Sequence, residues 1–245
     1  MYAFARLLAE KNGLELATRW SNEPAKAFDG HHQQAGQPQT VTFNDPAPGR
    51  HADGPLVVLD ENTRTTTPET VLPPGRYHLQ GYWQIAEWYL PHRDRIHSWI
   101  TNFDYRSQRY EKGGVVMHLR LGDYKQCGPG GQILDSRYYF DCLEQLHMPP
   151  ERACLFTDTL EEEHLKPFRD AGILIFCNSE KEDFWAMTRF ETIICGNSTF
   201  SWWAAFLSDA RRIYLPSCWM RGLANPVDLL KIQNGIVVPA GFKNA

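Results

Sequence analysis

Short apolar runs alternate with segments of helical spacing in the C-terminal half of the chain. The apolar runs predict strands at 115–121, 152–158, 173–178, 192–197 and 212–216. The segments between them predict helices at 138–147, 159–170, 180–190 and 199–209. Because strands that alternate with helices form parallel sheets, we expect an α/β fold class with a doubly wound parallel sheet in this half.

The N-terminal half has a less regular pattern. Good helix formers and apolar residues predict a helix from Tyr2 to Lys11, and the spacing from Ile85 to Tyr110 predicts helix with a break near Pro91. Residues 21–80 are rich in Pro, Gly, Asn, Gln and His, which predicts loops with few strands.

The first predicted helix has neither an N-cap nor a strand before it. Such a helix is expected to be the second element of a βαβ unit whose first strand and turn are absent; a frayed terminal helix is the alternative. The change of pattern along the chain predicts two domains, an incomplete α/β region at 1–110 and a Rossmann-like domain at 111–245.

Composition and charge argue against several classes of protein. The formal net charge of -4 and the pI near 6.1 argue against a nucleic-acid-binding protein, which usually has a basic face. No apolar run approaches the roughly 20 residues that span a bilayer, so no transmembrane segment is expected. The six cysteines show no zinc spacing and are expected to be reduced core residues. We therefore expect a cytoplasmic protein, either free or peripheral at the inner face of the membrane.

The strand predicted at 115–121 ends in a cluster of charged side chains. His118 and Arg120 are two residues apart, hence on the same face of the strand, and Asp123 and Tyr124 come after them. Open α/β sheets bind ligands at such strand ends, and the fixed donors of Arg120 match the oxygens of a diphosphate. A structural salt bridge between Arg120 and Asp123 is the alternative.

Two further strand ends carry polar residues. The carboxylate of Asp158 is suited to accept hydrogen bonds from a guanine edge or a ribose, or to cap the following helix. Ser198 and Thr199 lie at the start of a predicted helix, where they either hold phosphate oxygens or cap the helix. Neither G-x-G-x-x-G nor G-x-x-x-x-G-K-[ST] is present, which argues against a dinucleotide oxidoreductase and a P-loop enzyme.

Aromatic residues are dense between 82 and 89, where the chain carries Tyr82, Trp83, Trp88 and Tyr89. Such side chains are suited to stacking on a sugar ring, although packing in a core is their commoner use. The sequence leaves both uses open.

Two motifs resemble those of a known family. His118 to Tyr124 is similar to the H-x-R-R-G-D-Y motif of the family-11 glycosyltransferases, the α1,2-fucosyltransferases, and Asn197 to Trp203 is similar to their N-S-S-F-S-W-W motif. Leu121 stands where the family has its second Arg, on the strand face opposite Arg120 by period-two geometry. The resemblance covers nearly the whole chain and includes three shorter segments. Met1 to Arg6 resembles the segment after the family's opening G-x-x-G-N-Q loop, Gly81 to Gln84 its G-Y-[FW]-Q, and Phe156 to Asp158 its F-S-D.

This resemblance implies an inverting transfer of L-fucose from GDP-β-L-fucose to the 2-hydroxyl of a galactose residue in a glycan. It implies a GT-B-like fold of two Rossmann-like halves, the first on the acceptor side and the second binding GDP-fucose. No D-x-D metal motif appears in the chain, and the resemblance implies neither a metal nor another cofactor.

The resemblance also implies roles for residues that bind the donor. Arg120 would neutralise charge that grows on the β-phosphate, helped by Ser198 and Thr199 at the helix N-terminus. Asp158 would bind the guanosine. The further substrate-binding candidates are Tyr124, Asn197 and Phe200.

The catalytic base has two candidates. Asp123 is preferred, and His118 is the other, because both lie at the same strand end and imidazole transfers protons near neutrality. Either residue would instead orient Arg120 if it is not the base. Two other functions stay open: a catalytically inactive relative that binds GDP-sugar or glycan, and a fucosyltransferase of different linkage.

Overall fold

The computed structural model describes residues 2–18, 40–44, 56–100, 114–127, 131–160, 163–221, 230–232 and 234–243. The chain falls into two compact units, Met1–Asn102 and Phe103–Ala245. The domain division at residue 110 stays a prediction, because compactness alone does not establish that each part folds independently.

A mixed sheet lies in the described part of the first unit. Its helices are α1 (Tyr2–Asn12) and α2 (Arg93–Ile100), and its strands are β1 (Glu15–Thr18), β2 (Thr40–Asn44), β3 (Leu56–Asp60) and β4 (Arg76–Gln80). The strand order is β1-β2-β4-β3, with β4 antiparallel to β2 and parallel to β3. A Rossmann-like first half, which the resemblance implies, therefore stays a prediction.

Helix α1 confirms the first predicted helix, and its apolar side chains Phe4, Leu7 and Leu8 are buried. The prediction from Ile85 onward was wrong in its first part. Two 3-10 turns, Ala86–Trp88 and Leu90–His92, precede α2, because Pro91 cannot donate a backbone hydrogen bond and is accepted only in a first turn. The predicted helical residues 101–110 lie outside the described residues.

A parallel sheet forms the centre of the second unit. Its strands are β5 (Val115–Leu119), β6 (Ala153–Thr157), β7 (Leu174–Phe176), β8 (Thr192–Ile194), β9 (Arg212–Pro216) and β10 (Gly235–Val238). Its helices are α3 (Ser136–Gln145), α4 (Lys166–Asp170), α5 (Glu180–Met187) and α6 (Thr199–Leu207). The predicted α/β alternation is confirmed. Within the described ranges, no helix has the length and apolar character needed to cross a bilayer.

Two elements of this unit differ from the prediction. Strand β10 is an edge strand of four residues, and the apolar run Ile236 to Val238 within it is too short to predict a strand. Helix α4 is much shorter than the predicted helix at 159–170, because Pro167 lies in its first turn and a 3-10 turn at Glu163–Leu165 precedes it.

The strand order of this sheet is β10-β9-β8-β5-β6-β7, and each pair in it is parallel. Read from β7, the chain order is third, second, first, fourth, fifth, sixth, which is the doubly wound order of dinucleotide-binding folds. The direction of winding reverses between β5 and β8. Ligands of open α/β sheets bind at the carboxyl ends of the strands that flank such a reversal.

Both faces of β5 are buried. Met117 and Leu119 pack in one core with Tyr139 of α3 and Phe168 of α4. Their neighbours Val116 and His118 point to the opposite face, where the ring of His118 lies near Phe200 of α6. Because both faces are covered by helices, only the end of the strand reaches the surface.

Candidate functional site

The loops after β5 and β8 are joined at the reversal point of the sheet. The Tyr124 hydroxyl donates a hydrogen bond of 2.9 Å to the carbonyl oxygen of Asn197. The Tyr139 hydroxyl of α3 donates to the carbonyl oxygen of His118 at 2.8 Å. The two sequence motifs, which are far apart in the chain, thus meet at one edge of the sheet.

Arg120 lies at this edge between two carboxylates. Its Nε donates to Asp123 Oδ1 at 2.8 Å and lies 3.1 Å from Asp158 Oδ2. Burial disfavours the guanidinium charge, but the hydrogen bond with Asp123 and the charges of Asp158 and Asp123 outweigh it and raise the pKa of Arg120. The salt bridge with Asp123, which the sequence left open as an alternative, therefore exists, and it fixes the position of a permanent positive charge.

Asp158 braces the loop that carries Arg120. Its Oδ1 accepts hydrogen bonds from the backbone N–H groups of Leu121 at 2.9 Å and Gly122 at 3.2 Å. A Cβ on Gly122 would lie 2.7 Å from Asp158 Oδ2, so glycine permits this close approach. The carboxylate is thus engaged with the β5 loop rather than with α4, which begins at Lys166. Its assignment to guanosine stays a prediction.

His118 is a buried, neutral imidazole. Its side chain is 3% exposed, and its ring centroid lies 5.1 Å from that of Phe200. Its Nδ1 has no hydrogen-bond partner in the part of the chain that the structure describes. Burial, followed by the charge of Arg120, lowers the pKa of His118 to about 3, and the charge of Asp158 opposes this only in part. A group with this pKa is a weak proton acceptor near neutrality.

The lowered pKa of His118 predicts a loss of stability in acid. The folded-state pKa of about 3 lies below the ordinary 6.5, so the unfolded chain binds a proton that the folded chain excludes. The resulting stabilisation is complete above pH 6.5 and is lost as the pH falls toward 3. At about pH 5, the loss amounts to about 2 kcal/mol. Urea unfolding at about pH 7.5 and about pH 5 measures it.

The matched variant for this prediction is His118→Asn, whose side chain does not titrate in this range. Its free energy of unfolding should fall by about 2 kcal/mol less between the two pH values than that of the wild type. An equal pH dependence in both proteins would mean that other groups cause the acid sensitivity.

The N-terminus of α6 lies next to the loop that carries Arg120. Ser198 is the N-cap, and its Oγ accepts from the N–H of Phe200 at 3.3 Å. Thr199 and Phe200 are half-buried. The helix dipole adds partial positive charge at this end, which suits an anion.

The Asn197 amide is used inside the protein. It is 3% exposed, and its Nδ2 donates to the carbonyl oxygens of Gln132 at 2.9 Å and Trp219 at 3.1 Å. Asn197 therefore ties the loops after β5, β8 and β9 together. Its direct contact with substrate stays a prediction.

Gln132 forms hydrogen bonds with several loops around the site, a role that the sequence did not indicate. Its backbone N–H donates to the Tyr124 carbonyl oxygen at 2.8 Å, and its Oε1 accepts from the Arg221 N–H at 2.6 Å. Its Nε2 donates to the Cys127 carbonyl oxygen at 3.3 Å. With the bond from Asn197, this buried residue closes the loop that holds Tyr124. No motif or period marks a glutamine that acts through such long-range contacts.

Asp183 is a second residue that sequence reasoning missed. This side chain of α5 is buried, and it accepts from the Asn178 backbone N–H at 3.2 Å and from Asn178 Nδ2 at 2.7 Å. Burial raises the pKa of Asp183, and both bonds from Asn178 oppose the rise. The capping box of Ser179 and Glu182 was a signal for the start of α5, and it would have placed Asp183 at the carboxyl edge of the sheet.

The described residues contain no candidate metal site. Among them, no group of three or more His, Cys, Asp or Glu side chains is arranged to bind a metal ion. Metal independence stays a prediction, because it concerns the reaction rather than the folded chain.

A known protein family matches the part of the chain that contains both motifs. The sequence model of glycosyl transferase family 11 matches residues 64–220. An α-1,2-colitosyltransferase of Escherichia coli is 25% identical over 152 residues, which cover 55% of this chain and 52% of that protein. The chain thus spans about half the length of this curated relative. No solved structure shows a significant match. Because the family model matches more than half of the sequence and contains both motifs, the chain belongs to glycosyl transferase family 11.

Proposed function

We propose that the protein transfers L-fucose from GDP-β-L-fucose to the 2-hydroxyl of a galactose residue in a glycan, with inversion at the anomeric carbon. The observation that carries this proposal is the position of Arg120, held by two carboxylates at the reversal point of the sheet. The N-terminus of α6 lies at the same edge. Together they form an anion site where open α/β sheets bind nucleotides.

The donor is assigned to the second domain, 111–245. Nε of Arg120 faces both carboxylates, and the side chain is 19% exposed, so we assign its terminal nitrogens to the diphosphate. Ser198 and Thr199 would bind the other phosphate oxygens. Asp158 is assigned to the guanosine. Tyr124, Asn197 and Phe200 are assigned to the donor site as further substrate-binding residues.

The reaction requires charge stabilisation and the removal of one proton. The bond between C1 of fucose and the β-phosphate oxygen breaks, and the acceptor 2-hydroxyl oxygen bonds to C1 from the opposite face. Arg120 stabilises the negative charge that develops on the departing GDP. The hydroxyl proton passes to Asp123, whose side chain is 38% exposed, whereas His118 is buried and has a pKa of about 3.

A second donor is supported by one comparison. The Escherichia coli relative is named as an α-1,2-colitosyltransferase. Colitose is L-fucose without its 3-hydroxyl, so the same diphosphate site would serve either sugar. The acceptor side is assigned to the first domain, 1–110, in both cases.

An activity assay separates these functions. The purified chain is incubated with lactose and GDP-fucose in EDTA, with GDP-colitose and UDP-galactose in parallel, and the product linkage is determined by NMR. We expect fucose linked α1,2 to galactose, and no product from UDP-galactose. If sugar is transferred only from GDP-colitose, the donor is colitose rather than fucose. If the product has another linkage, the acceptor is a hydroxyl other than the 2-hydroxyl. GDP binding without any transfer would support the inactive, GDP-sugar-binding alternative.

A further inference from the structure

The turn Gly81–Gln84 lies at the carboxyl end of a parallel strand pair in the first unit. It comes directly after β4, and Glu61 comes directly after the neighbouring strand β3. The Glu61 carboxylate accepts hydrogen bonds from the backbone N–H groups of Tyr82 at 2.6 Å and Gln84 at 3.0 Å. A charged acceptor thus holds the backbone of the turn at two points.

The backbone of this turn is in an unusual conformation. Trp83 has a φ of 56°, in the left-handed region that a bulky side chain rarely adopts. Gly81 has a φ of 131°, and a Cβ there would lie 2.5 Å from Glu61 Cβ, so glycine is required. Backbone strain of this kind persists only where the surroundings enforce it, and it concentrates at ligand sites.

The core enforces the conformation through Trp83. Its side chain is 1% exposed and stacks on Phe4 of α1, with ring centroids 4.1 Å apart. Its carbonyl oxygen accepts a hydrogen bond from the buried hydroxyl of Tyr89. Trp88 is half-buried and packs beside Phe4 and Trp83. Trp83 and Trp88 therefore belong to the packing around α1, and Tyr89 is buried against the backbone of Trp83.

Tyr82 is the exception. Its side chain is 47% exposed, although its backbone is fixed between Glu61 and the buried Trp83. An aromatic ring with a fixed backbone loses little conformational entropy when a ligand stacks on it. Galactose offers a complementary surface, because its axial 4-hydroxyl leaves one face of the ring covered by C–H groups. The phenol hydroxyl can also donate to or accept from a sugar hydroxyl.

We propose that Tyr82 is a stacking platform for a galactose ring of the acceptor glycan, held by the Glu61-braced turn. This acceptor subsite belongs to the first unit and rests on the proposed function for the identity of the sugar. Tyr82 acts in binding the acceptor and takes no part in the chemical step.

The test compares Tyr82→Ser with Tyr82→Phe and with Val71→Ser. Val71 is 78% exposed in the same unit and is the control for replacing a surface apolar residue by serine. The dissociation constant for lactose is measured by NMR titration without donor, and the KM for lactose at saturating GDP-fucose. We expect Tyr82→Ser to raise the dissociation constant and the KM for lactose by about tenfold, because one aromatic contact is lost. Tyr82→Phe should raise them by no more than about twofold, because it keeps the ring. All three variants should bind GDP and melt as the wild type does. Val71→Ser should also have the lactose affinity of the wild type.

The outcomes separate this subsite from the proposed function. Wild-type lactose affinity in Tyr82→Ser overturns the subsite, whether or not transfer occurs. Failure of the wild type to bind lactose or any other β-galactoside in a panel also overturns it. If lactose binding depends on Tyr82 but no sugar is transferred, the subsite stands and the proposed activity fails.

Discussion

Replacing Arg120 by alanine is expected to weaken GDP binding by about 10- to 100-fold, the loss of a hydrogen bond to a charged group. The transfer rate should fall further, by about 10²–10³-fold, because the charge on the leaving diphosphate is greatest in the transition state. Both effects result from the position of Arg120 between Asp123 and Asp158. Calorimetry with GDP and GDP-fucose in EDTA measures the first effect, with UDP as the control ligand. Transfer kinetics measure the second.

Two variants make this result specific. Arg120→Lys keeps the charge but loses the planar donors, so it should retain part of the binding. Arg137→Ala removes an arginine of α3 that is 86% exposed, and it should bind GDP as the wild type does. Circular dichroism and thermal melting must show that Arg120→Ala is folded, because the substitution leaves two carboxylates without their cation. GDP binding that is unchanged in folded Arg120→Ala would contradict the donor-site assignment.

Gly196→Ala should lower the free energy of unfolding by about 3 kcal/mol, at the upper end of the cost of overpacking. A Cβ at this position would lie 2.6 Å from the His118 carbonyl oxygen and 3.2 Å from the Tyr139 hydroxyl. Because the first contact is with backbone, the loop after β8 must move away from β5. This movement would break the hydrogen bond from the Tyr124 hydroxyl to the Asn197 carbonyl oxygen and displace the N-terminus of α6. We therefore also expect a loss of GDP affinity.

Gly241→Ala is the matched control for this substitution. A Cβ on Gly241 meets no atom within 4 Å, and its φ is not in the left-handed region. Its free energy of unfolding, measured by urea denaturation, should stay within about 0.5 kcal/mol of the wild type. If Gly196→Ala is as stable as Gly241→Ala, the two loops are not packed as closely as the structure indicates.

The strands around the site were predictable because their signal is local. Strands β5 and β6 are buried on both faces, so each is a nearly continuous apolar run that differs from its surroundings. Edge strand β10 was missed because its apolar run is short, and helix α4 is shorter than predicted because Pro167 lies in its first turn. Local pattern therefore predicts buried elements better than edges and short helices.

The candidate site was only partly predictable. Arg120, Ser198 and Asp158 come after strands or begin a helix, so their positions at a sheet edge result from the alternation alone. Gln132 gave no signal because its contacts with Asn197 and Arg221 join residues far apart in the chain. The sequence also could not show which aromatic residues at 82–89 are buried and which is exposed, because this too depends on distant segments. Their burial depends on α1 and on Glu61, which lie elsewhere in the sequence.

The α/β alternation of the second unit and the two motifs that identify the family could both be predicted from the order of the amino acids. Both are properties of consecutive residues, and period and residue type record them directly. The strand order, and with it the reversal between β5 and β8 that brings the motifs together, became known only from the folded chain. The same is true of the bonds by which Asp158 braces the Arg120 loop and of the exposure of Tyr82 on a fixed turn. These arrangements depend on hydrogen bonds and packing between distant segments, which no local pattern encodes.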